Sequence, residues 1–249
     1  MIRLSDIPTR APQGYEKDDI KRKTDSMVKR IGDLQHVMYA EKKHSLLVVL
    51  QGMDASGKDG ATRKVFQFCN PTGIDAYAFR KPTEEEFAHD FLWRIHKHAP
   101  AKGIIQIFIR SHYEDILIQR VHKWIDEDKV SARIKSINDL ESLLQYDNNT
   151  TILKFYMHIS RETQREKLQE RIDDPLKHWK HNPADMKESE HWNEYMFAYE
   201  DAINRSTVPW IIAPVDQRWY RDYFIAEKVL ATMESLHFNL PRREDRKEK

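Results

Sequence analysis

The chain has 249 residues, 40% of them hydrophobic and 33% charged, which is typical of a globular protein with a sizeable core and a charged surface. Its 41 Lys and Arg balance 40 Asp and Glu, so net charge favours neither nucleic acid nor a membrane, and no apolar stretch resembles a signal peptide or membrane span. The single cysteine, Cys69, excludes a disulfide framework and a cysteine-rich zinc site; we expect a small buried side chain in a cytoplasmic protein.

The first part of the chain predicts a surface arm followed by an amphipathic helix. Residues 1–15 contain Pro8, Pro12 and Gly14 and are expected to lie over the surface as an N-terminal arm. Residues 16–43 contain no proline, and their apolar side chains recur mostly every three, four or seven residues, as on one face of a helix. These side chains are Ile20, Met27, Ile31, Leu34 and Met38.

A short apolar run then precedes a glycine-rich loop. The run LLVVL, 46–50, is typical of a parallel strand buried on both faces, and GMDASGKDG, 52–60, follows with the spacing G-x-x-x-x-G-K. Backbone N–H groups of such a loop, and of the N-terminus of a helix predicted from Lys58 to Phe68, bind phosphate. The residues expected to contact phosphate or nucleotide here are Gly52, Met53, Ala55, Ser56, Gly57, Lys58, Asp59 and Gly60.

Two carboxylates in this loop are unusual for an anion-binding site. The position after the lysine commonly carries Ser or Thr, whose hydroxyl binds Mg²⁺, but here it is Asp59. Asp54 is expected either to hold a Mg²⁺ or Mn²⁺ ion that bridges phosphates or to accept a proton from an acceptor phosphate. Asp59 either contributes to that site or caps the helix N-terminus, where negative charge is stabilised by roughly 0.3–1 kcal/mol.

The remaining apolar segments alternate with helical ones. Strands separated by helices predict an α/β fold, in which a parallel central sheet has helices on both faces. Ligands are then expected at the carboxyl ends of the strands. The predicted strands are 74–79, 104–109, 151–159 and 209–215, and the predicted helices are 84–98, 114–126 and 217–236.

A long segment before the last strand does not fit this alternation. Residues 161–205 predict two helices joined by a polar stretch that contains Pro175 and Pro183. Glutamates are interleaved with its many cations, so these cations form either a solvated helix face or the basic wall of a site. The cations are Arg165, Arg171, Lys177, His178, Lys180 and His181.

Polar residues follow the second and third strands, at the edge where ligands are expected. Arg110 is expected to clamp a phosphate, and Glu114 to reach a metal ion or nucleotide or else to begin a helix. An Asp at the end of the third strand would complete a metal site, but this strand ends in Ile109. The other candidates at this edge are Arg80, Lys81, Ser111, Tyr113 and Asp115.

Several aromatic residues are candidates for stacking on a base. Tyr113 and Trp179 are each expected either to stack on a base or to pack in the core, and core packing is the commoner role of a single aromatic residue. Trp192, Tyr195 and Tyr199 recur at helical spacing, which favours core packing for all three.

Six motifs, in order, resemble the type-2 polyphosphate kinases over nearly all of residues 12–236. They are GMDASGKDG, RKPTEEE, RSHYED, RIDDPLKHWK, AYEDAINRSTVPW and DQRWYRDY, and the form HYED is similar to the class III branch. The resemblance implies one domain, 1–249, with the fold of a P-loop kinase-like three-layer α/β sandwich. It also implies a helical lid inserted at about 165–190, and a homodimer or homotetramer.

The resemblance further implies an activity and its residues. Family members reversibly transfer the terminal phosphoryl group of inorganic polyphosphate to nucleoside mono- or diphosphates such as AMP, ADP, GMP and GDP, with Mg²⁺. Asp54, Lys58, Arg110 and Arg171 match the family's loop aspartate, loop lysine, strand-end arginine and lid arginine, and are the expected catalytic residues. The residues expected to bind polyphosphate are Arg165, Lys177 and Lys180.

Two alternatives stay open. An ATP-dependent kinase of nucleotides or other small molecules shares the core and a lid, but it generally keeps Ser or Thr where this chain has Asp59. A catalytically impaired binder of polyphosphate or nucleotide is the second, because the family usually has Asp or Asn at the position of Ile109. A nucleic-acid-binding module is disfavoured, because the basic residues are confined to the predicted lid.

Overall fold

The computed structural model describes residues 1–242, and residues 243–249 lie outside the described part. The strands in the described part are β1 (Ser45–Gln51), β2 (Ile74–Ala78), β3 (Ile105–Ile109), β4 (Thr150–His158) and β5 (Trp210–Pro214). The helices are α1 (Lys17–Glu41), α2 (Lys58–Val65), α3 (Glu84–Ala88), α4 (Trp93–His96), α5 (Glu114–Val121), α6 (Glu127–Asn148), α7 (Arg161–Asp173), α8 (Pro183–Glu188), α9 (Trp192–Arg205) and α10 (Arg218–Ser235).

The five strands form one parallel sheet in the order β2-β3-β1-β4-β5. β1 is central: Val48 pairs with Ile107 of β3 on one side and with Leu153 of β4 on the other. Every residue of β1 is buried, because helices cover both faces of a parallel sheet. The predicted α/β fold is therefore confirmed.

The helices form two groups, one on each face of the sheet. α1 packs on α10 and α10 on α2, whereas α5 packs on both α6 and α9. The chain leaves β1 in one direction to reach β2, and later crosses β1 in the other direction from β3 to β4. Because such crossovers are right-handed, opposite directions place helices on opposite faces. The three-layer sandwich predicted from the sequence is confirmed.

The helix predicted at 16–43 is confirmed as α1. Its apolar face is buried in the core, with Val28, Ile31 and Met38 wholly inaccessible to solvent. α1 ends at Lys42, whose backbone has the left-handed φ of 53° and donates its N–H to the Met38 carbonyl. The buried face of α1 supports α10, whose N-terminal end lies beside the glycine-rich loop.

The single helix predicted at 84–98 is wrong. Two short helices, α3 and α4, occupy this range, and His89 between them is extended with φ −103° and ψ 177°. The side chain of Asp90 accepts a hydrogen bond from the Leu92 backbone N–H at 2.9 Å. A short polar side chain that binds nearby backbone in this way offers the chain an alternative to helix.

A helix of 22 residues, α6, was not predicted from the sequence, and α5 ends at Val121, before the predicted end at 126. α6 begins at a cap, in which the Asp126 side chain accepts a hydrogen bond from the Lys129 N–H at 2.8 Å. Its buried residues Val130, Ile134 and Ile137 are spaced by four and three. Both signals were present in the sequence, since capping aspartate followed by this spacing is typical of a helix.

Residues 161–205 contain the two helices expected from the sequence, α7 and α9. The polar stretch between them is itself mostly helical: a 3-10 helix, Pro175–Lys180, precedes α8. Asp174 and Asn182 cap these two segments by accepting hydrogen bonds from Leu176 N–H and Ala184 N–H at 3.0 and 3.1 Å. We call residues 174–191 the lid segment, because they lie beside the cavity described below.

The N-terminal arm packs on α9 and on the start of α10. Leu4 is buried, its backbone N–H donates to Glu200 Oε1 at 2.8 Å, and Thr9 Oγ1 donates to Asp216 Oδ2 at 2.7 Å. Cys69 is buried, as predicted, and burial raises the pKa of its thiol to about 12. Among residues 1–242, no helix combines the length and the apolarity needed to cross a bilayer.

Candidate active site

The glycine-rich loop connects the end of the central strand β1 to α2. Gly52 lies so close to β4 that a Cβ there would be 2.8 Å from the Met157 carbonyl oxygen. Gly57, the N-cap of α2, has φ 88°, and Ala55 has φ 64°, both in the left-handed region. This backbone curls the loop around the N-terminus of α2, where N–H groups bind anions.

Lys58 lies inside the curl of the loop. Its Nζ donates to the carbonyl oxygens of Gly52 and Met53 at 2.8 and 3.1 Å and to Ser56 Oγ at 3.4 Å. Burial lowers the pKa of Lys58 to about 8, although Asp54 acts in the opposite direction. A phosphate at the loop therefore has to compete with these carbonyl oxygens for the ammonium group.

Asp54 and Arg110 form an ion pair across the ends of β1 and β3. Arg110 Nη2 donates to Asp54 Oδ1 at 2.6 Å, from a backbone in the left-handed region with φ 62°. Burial on its own would raise the pKa of Asp54, but Lys58 and Arg110 together lower it below its ordinary value. Asp54 is therefore a carboxylate at neutral pH, next to the two cations predicted to bind phosphate.

Glu114 begins α5 beside this ion pair. Gln51 Nε2 donates to Glu114 Oε1 at 2.6 Å, and Arg110 Nε is 3.9 Å from the same oxygen. Burial raises the pKa of Glu114, although Arg110 opposes the change. Ser111 is wholly buried and donates to Gln51 Oε1 at 3.0 Å, so it orients Gln51 and does not face a ligand.

A cavity of about 750 Å³ opens at the carboxyl ends of β1, β2 and β3. The glycine-rich loop closes one end, and α5, α3, α4 and the lid segment form its walls. Eight of the residues predicted at the site and its rim line the cavity, although Asp115 is mostly buried: Gly52, Met53, Asp54, Arg80, Lys81, Arg110, Glu114 and Asp115.

The lid segment is tied to α7 by a second ion pair. Arg171 Nη1 donates to Asp185 Oδ2 at 2.7 Å, and Asn182 Nδ2 donates to Asp185 Oδ1 at 3.0 Å. Asp185 lines the cavity, and burial followed by the charge of Asp54 raises its pKa despite Arg171. Arg171 is thus brought near Asp54, as predicted, but it is already paired.

Tyr113 does not line the cavity, so the prediction that it contacts a nucleotide is wrong for this structure. Its ring is 1% exposed, and its hydroxyl donates to Glu141 Oε1 at 3.1 Å and lies 2.9 Å from Ser206 Oγ. Lys154 Nζ donates to the same hydroxyl at 2.7 Å. The tyrosine packs in the core, which was the other role expected from the sequence.

The cations predicted to bind polyphosphate lie outside the cavity lining. Lys177 Nζ is paired with Glu170 and Asp174 at 2.5 and 3.0 Å, and Lys180 Nζ lies 4.8 Å from the ring centroid of Trp179, which is 79% exposed. Arg165 is exposed on α7. Their predicted contacts with polyphosphate, and stacking by Trp179, are not formed within this cavity.

Tyr195 and Tyr199 are buried, and Trp192 packs against the core, as predicted. The two tyrosines also line the cavity, so their rings serve both core and site. Asp59 is exposed in the first turn of α2 and makes no capping hydrogen bond, because the N-cap is Gly57. Its carboxylate nevertheless lies where helix N-termini favour negative charge.

Sequence reasoning missed Arg221, which supports the glycine-rich loop from α10. It is buried, and both Nε and Nη2 donate to Asp222 Oδ1, at 2.8 and 2.6 Å. Its guanidinium group lies against Gly57 and Gly60, where a Cβ on Gly60 would be 3.2 Å from Nη2. No local pattern signals this contact, because it joins segments that are far apart in the chain.

The residues present fit a divalent cation held mainly by substrate. Within residues 1–242, no three or more His, Cys, Asp or Glu side chains are grouped closely enough to hold a metal ion by themselves. Mg²⁺ commonly takes one or two carboxylates together with phosphate oxygens and water. Asp54, charged and partly exposed at the loop, suits this mode, whereas Ile109 offers no ligand.

The sheet order, the glycine-rich loop at the central strand and the arginines facing it define a phosphotransferase of the P-loop kinase-like class. The sequence profile of the family "Polyphosphate kinase 2 (PPK2)" matches residues 14–240. The chain belongs to this family.

Two relatives and one solved structure match this chain over most of their own length. The AMP/ADP-polyphosphate phosphotransferase of Meiothermus ruber is 43% identical over 224 residues, which cover 89% of this chain and 84% of the relative. The ADP-polyphosphate phosphotransferase of Rhodopseudomonas palustris is 36% identical over 256 aligned positions, which cover 96% of this chain and 88% of the relative. The crystal structure of polyphosphate kinase 2 from Arthrobacter aurescens superimposes with a TM-score of 0.94 at 36% identity, covering 98% of this chain and 89% of that one.

Proposed function

We propose that the protein is a polyphosphate-dependent nucleotide kinase, which transfers the terminal phosphoryl group of inorganic polyphosphate to a nucleoside mono- or diphosphate. The names of the relatives from Meiothermus ruber and Rhodopseudomonas palustris support this donor and support AMP and ADP as acceptors. One observation carries the proposal: the paired Asp54 and Arg110 line a cavity of about 750 Å³, within the usual size of a ligand site, and the charge of Lys58 in the adjoining loop acts on both.

The chemistry depends on positioning and on charge, because phosphoryl transfer requires little covalent help from a protein. Both substrates are polyanions, and three cations are close enough to serve them: Lys58, Arg110 and Arg171. Each already has a partner within the protein: Lys58 has the loop carbonyl oxygens, Arg110 has Asp54 and Arg171 has Asp185. Phosphate oxygens replace these partners, since arginine forms strong, often bidentate hydrogen bonds with phosphate.

We infer that Mg²⁺ or Mn²⁺ assists the reaction. When bound, the cation neutralises charge between phosphates and so allows donor and acceptor to approach. Asp54 would hold it once Arg110 turns to a phosphate. The carboxylate of Glu114 lies close by and is available to orient Arg110, which is 3.9 Å away.

The lid segment forms one wall of the cavity, so the acceptor binds between it and α5. Enclosure by a lid excludes water and limits wasteful hydrolysis of the donor. GMP and GDP as acceptors, reversibility, assembly into a homodimer or homotetramer, and a cytoplasmic location stay predictions from the sequence.

A donor–acceptor assay tests the proposed function. We expect the purified protein to form ADP or ATP from AMP or ADP with polyphosphate and Mg²⁺, and to be slower with ATP as donor. Asp54→Asn is expected to abolish transfer while leaving the circular dichroism spectrum and melting temperature close to those of the parent. Turnover by this variant would remove the role assigned to Asp54.

Ile109 motivates the second candidate, a binder with impaired catalysis. Its side chain is half-buried at the end of β3 and cannot ligate a cation. The same assay with Ile109→Asn distinguishes the two functions. Polyphosphate binding without product in the parent, together with turnover in Ile109→Asn, would favour the impaired binder.

A further inference from the structure

The part of the cavity farther along α5 from the glycine-rich loop is largely apolar and aromatic. α5 starts at Glu114, beside the Asp54–Arg110 pair, and Gln119 lies five residues, or about 7.5 Å, farther along the helix. This region is therefore within reach of the base of a nucleotide whose phosphate lies at the loop, and flat rings pack well against such a lining. The apolar lining residues are Phe79, Phe87, Phe91, Ile118, Trp124 and Ile125.

The amide of Gln119 is held between two charged residues in this apolar region. Arg133 Nη1 donates to Gln119 Oε1 at 2.8 Å, and Gln119 Nε2 donates to Asp115 Oδ1 at 2.8 Å. Asp115 is itself fixed, because Arg94 Nη2 donates to its Oδ2 at 3.1 Å. Arg94 and Asp115 are each only 4% exposed, so these supports are part of the packed wall.

This arrangement permits a single orientation of the amide. A reversed amide would place its NH₂ group against the guanidinium of Arg133 and its oxygen against the carboxylate of Asp115, and both contacts would be repulsive. One N–H of Gln119 and one lone pair of its oxygen are not used by these partners. The half-exposed side chain lines the cavity, so it offers a donor and an acceptor of fixed orientation to a ligand there.

We propose that Gln119 reads the edge of the acceptor's base and selects adenine over guanine, an inference that rests on the proposed function. An amide donor and acceptor match the ring nitrogen N1, an acceptor, and the amino group, a donor, on the Watson–Crick edge of adenine. The same edge of guanine presents the reverse pattern, with a donor at N1 and an acceptor at O6. A fixed amide cannot turn to suit the second base. Asp115 and Arg133 act as positioning residues, because they hold the amide in place and the amide alone contacts the base.

Equilibrium titration of AMP and GMP, without donor, tests the proposal. We expect the parent to bind AMP more tightly than GMP. Gln119→Leu is expected to weaken AMP binding about threefold to tenfold, as for the loss of one or two neutral hydrogen bonds, and to bring the AMP:GMP affinity ratio close to one. A ratio unchanged from the parent overturns the proposal.

Ile118→Val is the matched control, because Ile118 precedes Gln119 on α5 and lines the same cavity without a polar group. It is expected to change the affinity for both nucleotides by the same factor. If Gln119→Leu also changes both equally, Gln119 provides only packing and the proposal is wrong. Melting temperatures within a few degrees of the parent establish that the variants fold.

Arg133→Met tests the fixed orientation itself. Without the guanidinium group, only Asp115 still opposes the reversed amide of Gln119. The reversed orientation is then less disfavoured, so GMP is expected to gain affinity relative to AMP although Gln119 is intact. An unchanged ratio in this variant overturns the positioning role of Arg133. Because these are binding measurements, base selection without any phosphoryl transfer would leave this inference standing and remove only the proposed function.

Discussion

Gly57 shows how strongly the conformation of the glycine-rich loop depends on the absence of a side chain. Its φ of 88° is in the left-handed region, which costs roughly 1–2 kcal/mol for a residue with a Cβ. A Cβ at this position would also overlap Nη1 of Arg221. The guanidinium group cannot move away easily, because Asp222 holds it and it is only 3% exposed.

Gly57→Ala is therefore expected to lower the free energy of unfolding by more than the backbone cost alone, and to weaken polyphosphate binding. Gly14→Ala is the matched control, because Gly14 has the similar φ of 87°, but a Cβ added to it would meet no atom within 4 Å. Urea unfolding and polyphosphate titration of both variants measure the difference. Equal losses of stability would mean that Arg221 yields to the new methyl group without cost.

At the residue scale, the positions of side chains that directly follow a strand could be predicted from the sequence. Asp54 follows β1 and Arg110 follows β3, and because these strands are adjacent and parallel, the two side chains meet. Tyr113 shows the limit of this reasoning. It belongs to the same stretch, but its direction is decided by buried partners on α6 and β4, Glu141 and Lys154, which no local pattern identifies.

At the scale of elements, the ion pair between Arg171 and Asp185 joins α7 to α8. The arginine is 18% exposed and the aspartate 15%, so water screens the pair only partly. Arg171 cannot bind a phosphate and keep Asp185 at 2.7 Å with the same N–H group. If Arg171 binds the donor, as proposed, Asp185 competes with the donor for Arg171, and Asp185 itself lines the cavity.

Asp185→Asn is expected to tighten polyphosphate binding about threefold to tenfold, because it frees Arg171 from a charged partner while preserving side-chain shape. Titration with polyphosphate at constant ionic strength measures the change. Asp173→Asn is the control, since this exposed carboxylate at the end of α7 accepts a hydrogen bond from Gln169 and not from a predicted catalytic residue.

Two results would contradict this prediction. An equal gain in polyphosphate affinity in Asp173→Asn would mean that the effect arises from the lower negative charge of this part of the chain and not from the release of Arg171. Weaker binding in Asp185→Asn would mean that Asp185 orients Arg171 toward the donor and does not compete with it.

Elements were predictable where one regular pattern runs through them. The faces of α1 and the apolar runs of the five strands were found, since burial against the sheet decides both. The helix predicted at 84–98 failed because Asp90 turns the chain through a hydrogen bond that competes with helix. The order of the strands in the sheet was beyond such patterns, because strand pairing joins residues as distant in the chain as Val48 and Leu153.

At the scale of the whole molecule, a buried ion pair between β4 and α6 connects the site to the central sheet and to the helical layer that contains α5. Lys154 Nζ on β4 donates to Glu141 Oε2 on α6 at 2.6 Å, and both side chains are wholly inaccessible to solvent. His112 Nε2 lies 3.1 Å from Glu141 Oε1, and Tyr113 binds the same oxygen. His112 and Tyr113 lie between Arg110 and Glu114, so this network anchors the turn that carries both site residues.

Glu141→Gln is expected to lower the free energy of unfolding at pH 7 by about 3–5 kcal/mol, because it leaves a charged lysine unpaired in the interior. Asp25→Asn, which breaks the exposed pair with Lys64 at 2.6 Å, is expected to cost about 1 kcal/mol or less. Urea unfolding of both variants and the parent measures the two losses. Similar losses would mean that the core relaxes around Lys154 or admits water.

The pH dependence of the Glu141→Gln loss tests its cause. Burial lowers the pKa of Lys154 to about 8 in the folded parent, from 10.5 for an ordinary lysine, although Glu141 opposes the shift. A lysine whose pKa is depressed on folding binds more protons when unfolded, so its penalty is present below the folded pKa and disappears as pH rises toward 10.5. Removing Glu141 lowers the folded pKa further and enlarges that penalty at pH 7. The deficit of Glu141→Gln relative to the parent is therefore expected to shrink between pH 7 and pH 10, whereas a deficit that is constant with pH would indicate lost packing and not an unpaired charge.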